Sequence, residues 1–262
     1  MIPPYTGPTS IPLGPLHLQL FGALVVSGVL VGHRVVLKLA AERGVPVDEM
    51  RSAAAWALGA GFFGAHLVDV VFYHPEKITR DGILTIFALW DGISSYGGFL
   101  GALAGLALRF RQLGRSWWTE ADILVQGLVS GWIFGRLACT LTMDHPGTLT
   151  SFPLAFAAAG GARHNLGFYE LLWTLLVLVP AIFLLRAREK RQGYRPGIYV
   201  ATLTALYAPA RFLMDTLRAT DLPHADPRWH GLTAAQGISM VLFVFALAWL
   251  GNLRSTPVVA SR

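Results

Sequence analysis

Seven predominantly apolar stretches, at about residues 16–38, 52–73, 93–110, 121–142, 166–186, 197–217 and 233–253, constrain this chain more than any other feature. Each is close to the roughly 20 residues that a helix needs to cross the hydrocarbon core of a bilayer. With 54% hydrophobic and 14% charged residues, the chain carries more apolar surface than a water-soluble domain can bury. Lipid offers no partner to backbone N–H and C=O groups, so a span is either a helix or a strand of a closed barrel, and these stretches are too long and too uniformly apolar for barrel strands. The expected fold is therefore an all-α membrane protein, a bundle of seven transmembrane helices.

Lysine and arginine set the expected orientation. Lys38, Arg43 and Arg51 lie between the first two stretches, and Arg109, Arg111 and Arg115 between the third and fourth. Arg186, Arg188, Lys190, Arg191 and Arg195 separate the fifth and sixth, and Arg254 and Arg262 follow the last. The opposite side holds only Lys77, Arg80, Arg163, Arg218 and Arg228, with none before the first stretch. By the positive-inside bias the N-terminus faces outward and the C-terminus the cytoplasm. The same bias accounts for the net charge of +6 without a nucleic-acid partner. The opening MIPPYTGPTS has no basic region, so the first stretch is expected to be a retained helix and not a cleaved signal.

No Gly/Ser linker, low-complexity tract or internal repeat interrupts the chain, so residues 1–262 are expected to form a single polytopic membrane domain. The outward segments at about 74–92 and 143–165 would form a small cap. Trp117 and Trp118 beside Arg115 have the character of interfacial anchors. In GGFLGALAGLAL, Gly101 and Gly105 have the spacing that lets helices approach closely. Gly97 and Gly98 allow two uses, the same close packing or approach of a lipid headgroup to bare backbone.

Three arginines, Arg34, Arg136 and Arg211, fall inside apolar stretches. A guanidinium at mid-helix costs about 2.5–3.5 kcal/mol on insertion scales and normally faces a bundle interior or a site. In LYAPARFLMDTLR, Tyr207, Arg211, Asp215 and Arg218 recur at helical spacing on one stripe. Asp215 can pair with Arg211 across one turn, which leaves one positive charge on the stripe free. His164, Tyr169 and Glu170 open the fifth stretch; with Arg136, Asp144, His145 and Tyr96 they describe an outward-facing polar site walled by apolar helices. Arginines held in low dielectric suit a phosphate, which a guanidinium grips with paired hydrogen bonds, and the helices around them suit acyl chains. A phospholipid of the outer leaflet satisfies both. His145, with an ordinary pKa close to neutral, is either a proton acceptor or a loop residue hydrogen-bonded beside the Pro-Gly turn. The one cysteine, Cys139, excludes an internal disulfide and a multi-cysteine metal site and has the character of small core filling. No metal and no cofactor is expected.

Five segments carry a resemblance to the prolipoprotein diacylglyceryl transferase family over about residues 15–250. WDGISSYGGFLG is similar to a family segment ending HGGLIG, and GRLACTLTMDHPG to the signature GRxGNFxNxE followed by glycine. RHNLGFYELL is similar to RHPSQLYE, LYAPARFLMDTLR to YGxxRFxxExxR, and TAAQGISM to the glutamine and serine that open the last span. Arg136, Gly147, Tyr169, Glu170, Tyr207, Arg211 and Arg218 match. Tyr96 stands at the family's histidine, Cys139 and Thr142 at its two asparagines, Asp144 and Asp215 at glutamates, Phe21 at a tyrosine and His66 at an arginine.

The resemblance implies a bacterial inner-membrane enzyme, with the same seven-span topology and a site near the outer face. It would move the diacylglyceryl group of phosphatidylglycerol to the cysteine thiol of a lipoprotein precursor's signal segment and release glycerol phosphate. Arg136, Arg211, Tyr96, His145 and Asp144 are then the expected catalytic residues. Gly97, Gly98, Gly147, Tyr169, Glu170, Tyr207, Asp215 and Arg218 are the expected substrate-binding ones. The expected partners are phosphatidylglycerol, the signal segment and the lipid bilayer. The replaced histidine and asparagines support two alternatives: a family member that binds anionic lipid or a signal peptide without turnover, or one that uses a different lipid or acceptor.

Overall fold

The structure, a computed structural model, describes residues 1–253 apart from residues 8, 14–15, 89–91, 93, 115–116, 159, 223–224 and 227. All seven apolar stretches are helical over most of their length. They contain α1 (Leu20–Glu42), α2 (Val47–Val68), α4 (Ser95–Leu113), α5 (Trp118–Thr142), α6 with α7 (Leu166–Trp173, Val179–Gln192), α8 (Ile198–Thr216) and α9 (Ala234–Asn252). The short α3, Glu76–Asp81, lies outside these stretches. Among the described residues, five helices are long and apolar enough to cross a membrane: Leu20–Glu42, Val47–Val71, Trp118–Thr142, Leu166–Gln192 and Ala234–Asn252. The 19-residue α4 and α8 carry charge within the helix, Arg109 and Arg111 in one, Arg211 and Asp215 in the other. A π-helical turn, Thr174–Leu178, joins α6 to α7 just before Pro180, whose missing N–H interrupts the i→i−4 ladder.

The structure adds strands that an all-helical reading did not anticipate. An N-terminal hairpin pairs β1 (Ser10–Leu13) with β2 (Leu16–Gln19), so α1 begins at Leu20 and not near residue 16. In the expected cap segment 143–165, β3 (Pro146–Leu149), β4 (Phe156–Ala158) and β5 (Gly161–Asn165) form an antiparallel sheet in the order β3-β5-β4. Gly160 and Gly161, at φ +84 and +130, turn the chain between β4 and β5, backbone that other residues rarely adopt. A last hairpin pairs β6 (Arg228–Trp229) with β7 (Leu232–Thr233). The other segment expected to face outward holds α3 and a 3₁₀ turn, Ile83–Phe87.

The chain forms two compact units, one of Leu37–Glu120 and one of Met1–Val36 with Ala121–Arg262. In the first, α2 and α4 meet through glycines. A methyl group placed on Gly64 would lie 2.6 Å from the Gly97 carbonyl oxygen, and one on Gly105 2.7 Å from that of Trp56. This is small-residue packing, and it supplies Gly97 with a structural reason. Buried His66 faces the carbonyl oxygens of Thr85 at 2.9 Å and Gly92 at 3.0 Å with its two ring nitrogens, which ties the loop between α3 and α4 to α2.

In the second unit, α1 meets α5 through Gly28 against Gly131 and Gly32 against Gly127. A buried cluster of Val129, Leu178, Ile182, Tyr194, Tyr199 and Leu203 joins α5, α7 and α8. Asp122 of α5 orients α8. Its Oδ2 accepts from the Tyr194 hydroxyl (2.9 Å) and Gly197 N (2.7 Å), and its Oδ1 from Val200 N (2.8 Å). A carboxylate from a neighbouring helix thus satisfies the first amides of α8 and faces its positive end. Asp122→Ala is expected to lower stability by about 3 kcal/mol, since buried donors lose a charged acceptor; a thermal melt of the detergent-solubilised protein checks this. A melting temperature equal to the parent's would show that the cap contributes nothing.

Candidate active site

Three helices of the second unit bring their polar residues together at one end. Asn165, fully buried, caps α6 by accepting from Phe168 N (3.1 Å) and donates from Nδ2 to the Thr140 carbonyl of α5 (2.9 Å). This bond fixes the start of α6 against the last turn of α5. Glu170, one turn into α6, consequently faces Arg136 on α5. Gly167 makes the approach possible, because a methyl group there would lie 2.8 Å from Cys139 Cβ.

Glu170 is 2% exposed and takes three partners. Arg136 Nε lies 3.1 Å from its Oε2, Arg211 Nε 3.6 Å from its Oε1, and the Tyr207 hydroxyl donates to Oε2 at 2.9 Å. The two arginines, from α5 and α8, therefore meet on opposite oxygens of one carboxylate. Trp132, one turn before Arg136, lies under its guanidinium with 4.1 Å to the ring centroid, a cation–π contact that further limits its orientation.

The expected stripe on α8 is present and continues the network. Arg211 Nη1 donates to Asp215 Oδ1 (2.7 Å), and Arg218 Nη1 lies 3.7 Å from the same oxygen. Thr233 donates to Asp215 Oδ2 while also capping α9, and Gln236 Nε2 donates to the Phe212 carbonyl (3.3 Å). Arg218 Nε pairs with Asp226, which is 42% exposed. The charge left free by the stripe is distributed differently from the sequence expectation, because Glu170 and Asp226 also pair with it. The buried part still holds three guanidinium groups against two carboxylates, Glu170 and Asp215. Arg136 spends Nε on Glu170 and Nη1 on Cys139 Sγ (3.9 Å), and Arg211 spends Nε and Nη1 on carboxylates. Among the described residues, Nη2 of neither donates a hydrogen bond. Two oriented donors on a positive background can hold an anion.

The β3-β5-β4 sheet packs at the same end of the unit. Thr148 N donates to the Leu217 carbonyl (2.7 Å) and Ala219 N to that of Pro146 (3.3 Å), so β3 is sewn to the end of α8. Gly147 sits at this seam; a methyl group on it would lie 2.6 Å from His164 Cβ and 2.7 Å from the Leu217 carbonyl oxygen. Arg163 holds β5 in place, donating from Nη1 to the Gly147 carbonyl (3.1 Å) and to Asp221 Oδ1 (2.9 Å). Tyr169 points away from Glu170; its hydroxyl lies 2.8 Å from His164 Nδ1 and donates to the Leu154 carbonyl at 3.4 Å. Asp144 Oδ2 lies 4.0 Å from His145 Nε2, and burial pushes the His145 imidazole below its ordinary pKa, against the opposing pull of Asp144.

Arg136, Glu170, Tyr207, Arg211, Asp215 and Arg218 thus form one network, with Asp144, His145 and Gly147 on the segment after α5. Gly97 and Gly98 belong to the first unit, and the Tyr96 side chain lies outside the described residues. Asn165, Asp122, Thr233 and Trp132 were not singled out from sequence. For Asn165 a signal existed, an asparagine directly before an apolar helical run. Thr233 offered the capping-box spacing with Gln236.

A model of the prolipoprotein diacylglyceryl transferase family matches residues 8–251. The chain is 28% identical to the phosphatidylglycerol–prolipoprotein diacylglyceryl transferase of Synechococcus elongatus, with 96% of this chain and 90% of that protein covered. It is equally similar, at 28%, to the proteins of that name from Gloeobacter violaceus, covering 95% and 94%, and Nitrobacter winogradskyi, covering 98% and 94%.

Proposed function

The chain belongs to the prolipoprotein diacylglyceryl transferase family, and from this premise we propose that it transfers the diacylglyceryl group of phosphatidylglycerol to the cysteine thiol of a prolipoprotein signal segment. The observation that carries the reading is the pair of guanidinium groups, Arg136 and Arg211, fixed through Nε on one Glu170 carboxylate with a terminal nitrogen of each left over. In the reaction the acceptor sulfur bonds to the glyceryl carbon, the bond from that carbon to the phosphate oxygen breaks, and glycerol phosphate leaves with the electron pair. Negative charge develops on the departing phosphate, where preorganised donors stabilise it most in a water-poor site. Arg136 and Arg211 perform this task, and Arg218 and Tyr207 hold their surroundings. The thiol, with an ordinary pKa near 8.5, must also lose its proton; Asp144 and His145 are the groups of the network available to promote it.

The seven helical stretches are read as spans of a single membrane domain in the bacterial inner membrane. The N-terminus and the site lie at the outer face, where both substrates are met. Detergent-solubilised protein is expected to move label from phosphatidylglycerol to a peptide bearing a lipoprotein-type cysteine and to release glycerol phosphate. No transfer, with a known family enzyme active alongside, would overturn the proposal. The substitutions of Cys139 and Thr142 for the family's asparagines favour one other outcome, arginine-dependent binding of anionic lipid with no glycerol phosphate released.

A further inference from the structure

Cys139, Asp144 and His145 make no ion pair with the arginines, yet the fold gathers them at the edge of the network, where Arg136 Nη1 lies 3.9 Å from Cys139 Sγ. Cys139 lies on the last turn of α5. The chain then turns back at Met143, which adopts a left-handed conformation at φ 51, uncommon for a residue with a side chain. The turn returns Asp144 and His145 toward the helix end, and the Leu166 amide holds the position by donating to the His145 carbonyl (3.2 Å). One ligand-type atom from each of the three side chains lies within 4.8 Å of the other two. His145 turns Nε2 toward Asp144 Oδ2 at 4.0 Å, and its Nδ1 is buried without a hydrogen-bond partner.

We infer that Cys139, Asp144 and His145 hold one divalent metal ion of the zinc class, with a fourth position left for a thiol or water. The donor set points to this class: thiolate sulfur, imidazole nitrogen and carboxylate oxygen together suit a borderline-soft ion and not magnesium or calcium. Tetrahedral bonds of about 2.0–2.3 Å put ligand atoms about 3.3–3.6 Å apart, so the three atoms close by about an ångström on binding. Charge is also matched. Arg136 Nη1 lies 3.9 Å from Cys139 Sγ and would oppose a bare cation, but thiolate and carboxylate neutralise a doubly charged ion, and Glu170 already pairs with Arg136. Three protein ligands with one open position is the arrangement of catalytic and not structural zinc sites.

The role of the ion rests on the transferase reading. An acceptor thiol entering the fourth position gives its proton to water and becomes a bound thiolate, and this sulfur attacks the glyceryl carbon as glycerol phosphate departs toward the arginines. Such activation serves a chain whose family-position histidine is a tyrosine.

The full chain, purified in detergent without a polyhistidine tag and stripped with a chelator, is dialysed against buffered Zn²⁺ and separately against Co²⁺. One zinc per chain is expected, with a thiolate-to-cobalt absorption band in the unmutated protein. Cys139→Ser should abolish the band, and Cys139→Ser and His145→Ala should each weaken zinc binding by at least about tenfold, since loss of even an outer partner has that effect. Less than one zinc per chain, no thiolate band, or binding unchanged in both variants overturns the site. Transfer assayed on the same samples separates the two readings. Full activity in the metal-free protein overturns the role of the ion and leaves the transferase standing. Stoichiometric zinc with no transfer upholds the site and overturns the transferase.

Discussion

Arg136→Ala is expected to lower the rate of diacylglyceryl transfer by on the order of 10²–10³-fold, the loss typical of removing one preorganised donor from a developing oxyanion. Arg211→Ala should lose a similar factor, because the two guanidiniums occupy equivalent positions on either side of Glu170. Arg136→Lys should not rescue the rate. Arg136 uses Nε to hold Glu170 and keeps a terminal nitrogen for the substrate, whereas lysine has one compact ammonium that cannot do both at that separation. Initial rates of label transfer, with a thermal melt to show that each variant is folded, measure the effect. An Arg136→Ala protein within threefold of the parent would remove this arginine from the reaction. The fold should survive the substitution, since Glu170 keeps Arg211 and Tyr207 as partners.

Glu170 is expected to behave in the opposite way, with stability as the principal loss. Glu170→Ala removes a carboxylate that is 2% exposed and leaves Arg136 and Arg211 facing each other with Asp215 as the remaining buried anion. Removing one partner of a buried ion pair costs about 3–5 kcal/mol because the other charge stays behind unpaired. The two arginines would also lose their common anchor, so transfer should fall as well. Tyr207→Phe provides the comparison: it deletes one hydrogen bond to the same carboxylate and should cost about 1.5–3 kcal/mol. Denaturation of the two variants under one set of conditions gives the ordering. If Glu170→Ala melts with the parent, the carboxylate is not what holds the arginines in the protein.

The two arginines separate what could be read from the chain and what could not. Arg211 sits one helical turn from both Tyr207 and Asp215, so their common stripe follows from a local period of 3.6 residues. Arg136 has no carboxylate within a turn; its local partners are the Trp132 ring and Cys139 Sγ. That its anchor is Glu170 depends on Asn165 reaching the Thr140 carbonyl and on Gly167 admitting Cys139, contacts between segments far apart in sequence. The cap shows the same limit from another side. An outward position is what the basic residues lead one to expect, but the short strands of β3, β4 and β5 have little periodic pattern to reveal them, and they are held by Arg163, Asp221 and the backbone at Gly147.

The helical stretches and the family were determined by the sequence alone, because apolar length, helical period and short motifs are properties of contiguous residues. Only the tertiary structure decided that Arg136 and Arg211 share one carboxylate, that Asp122 caps a helix it does not belong to, and that Cys139 meets Asp144 and His145. Each of these depends on how separate segments dock. Docking is set by many small steric terms, such as a glycine facing a glycine or an asparagine bridging two helix ends, that no single stretch contains.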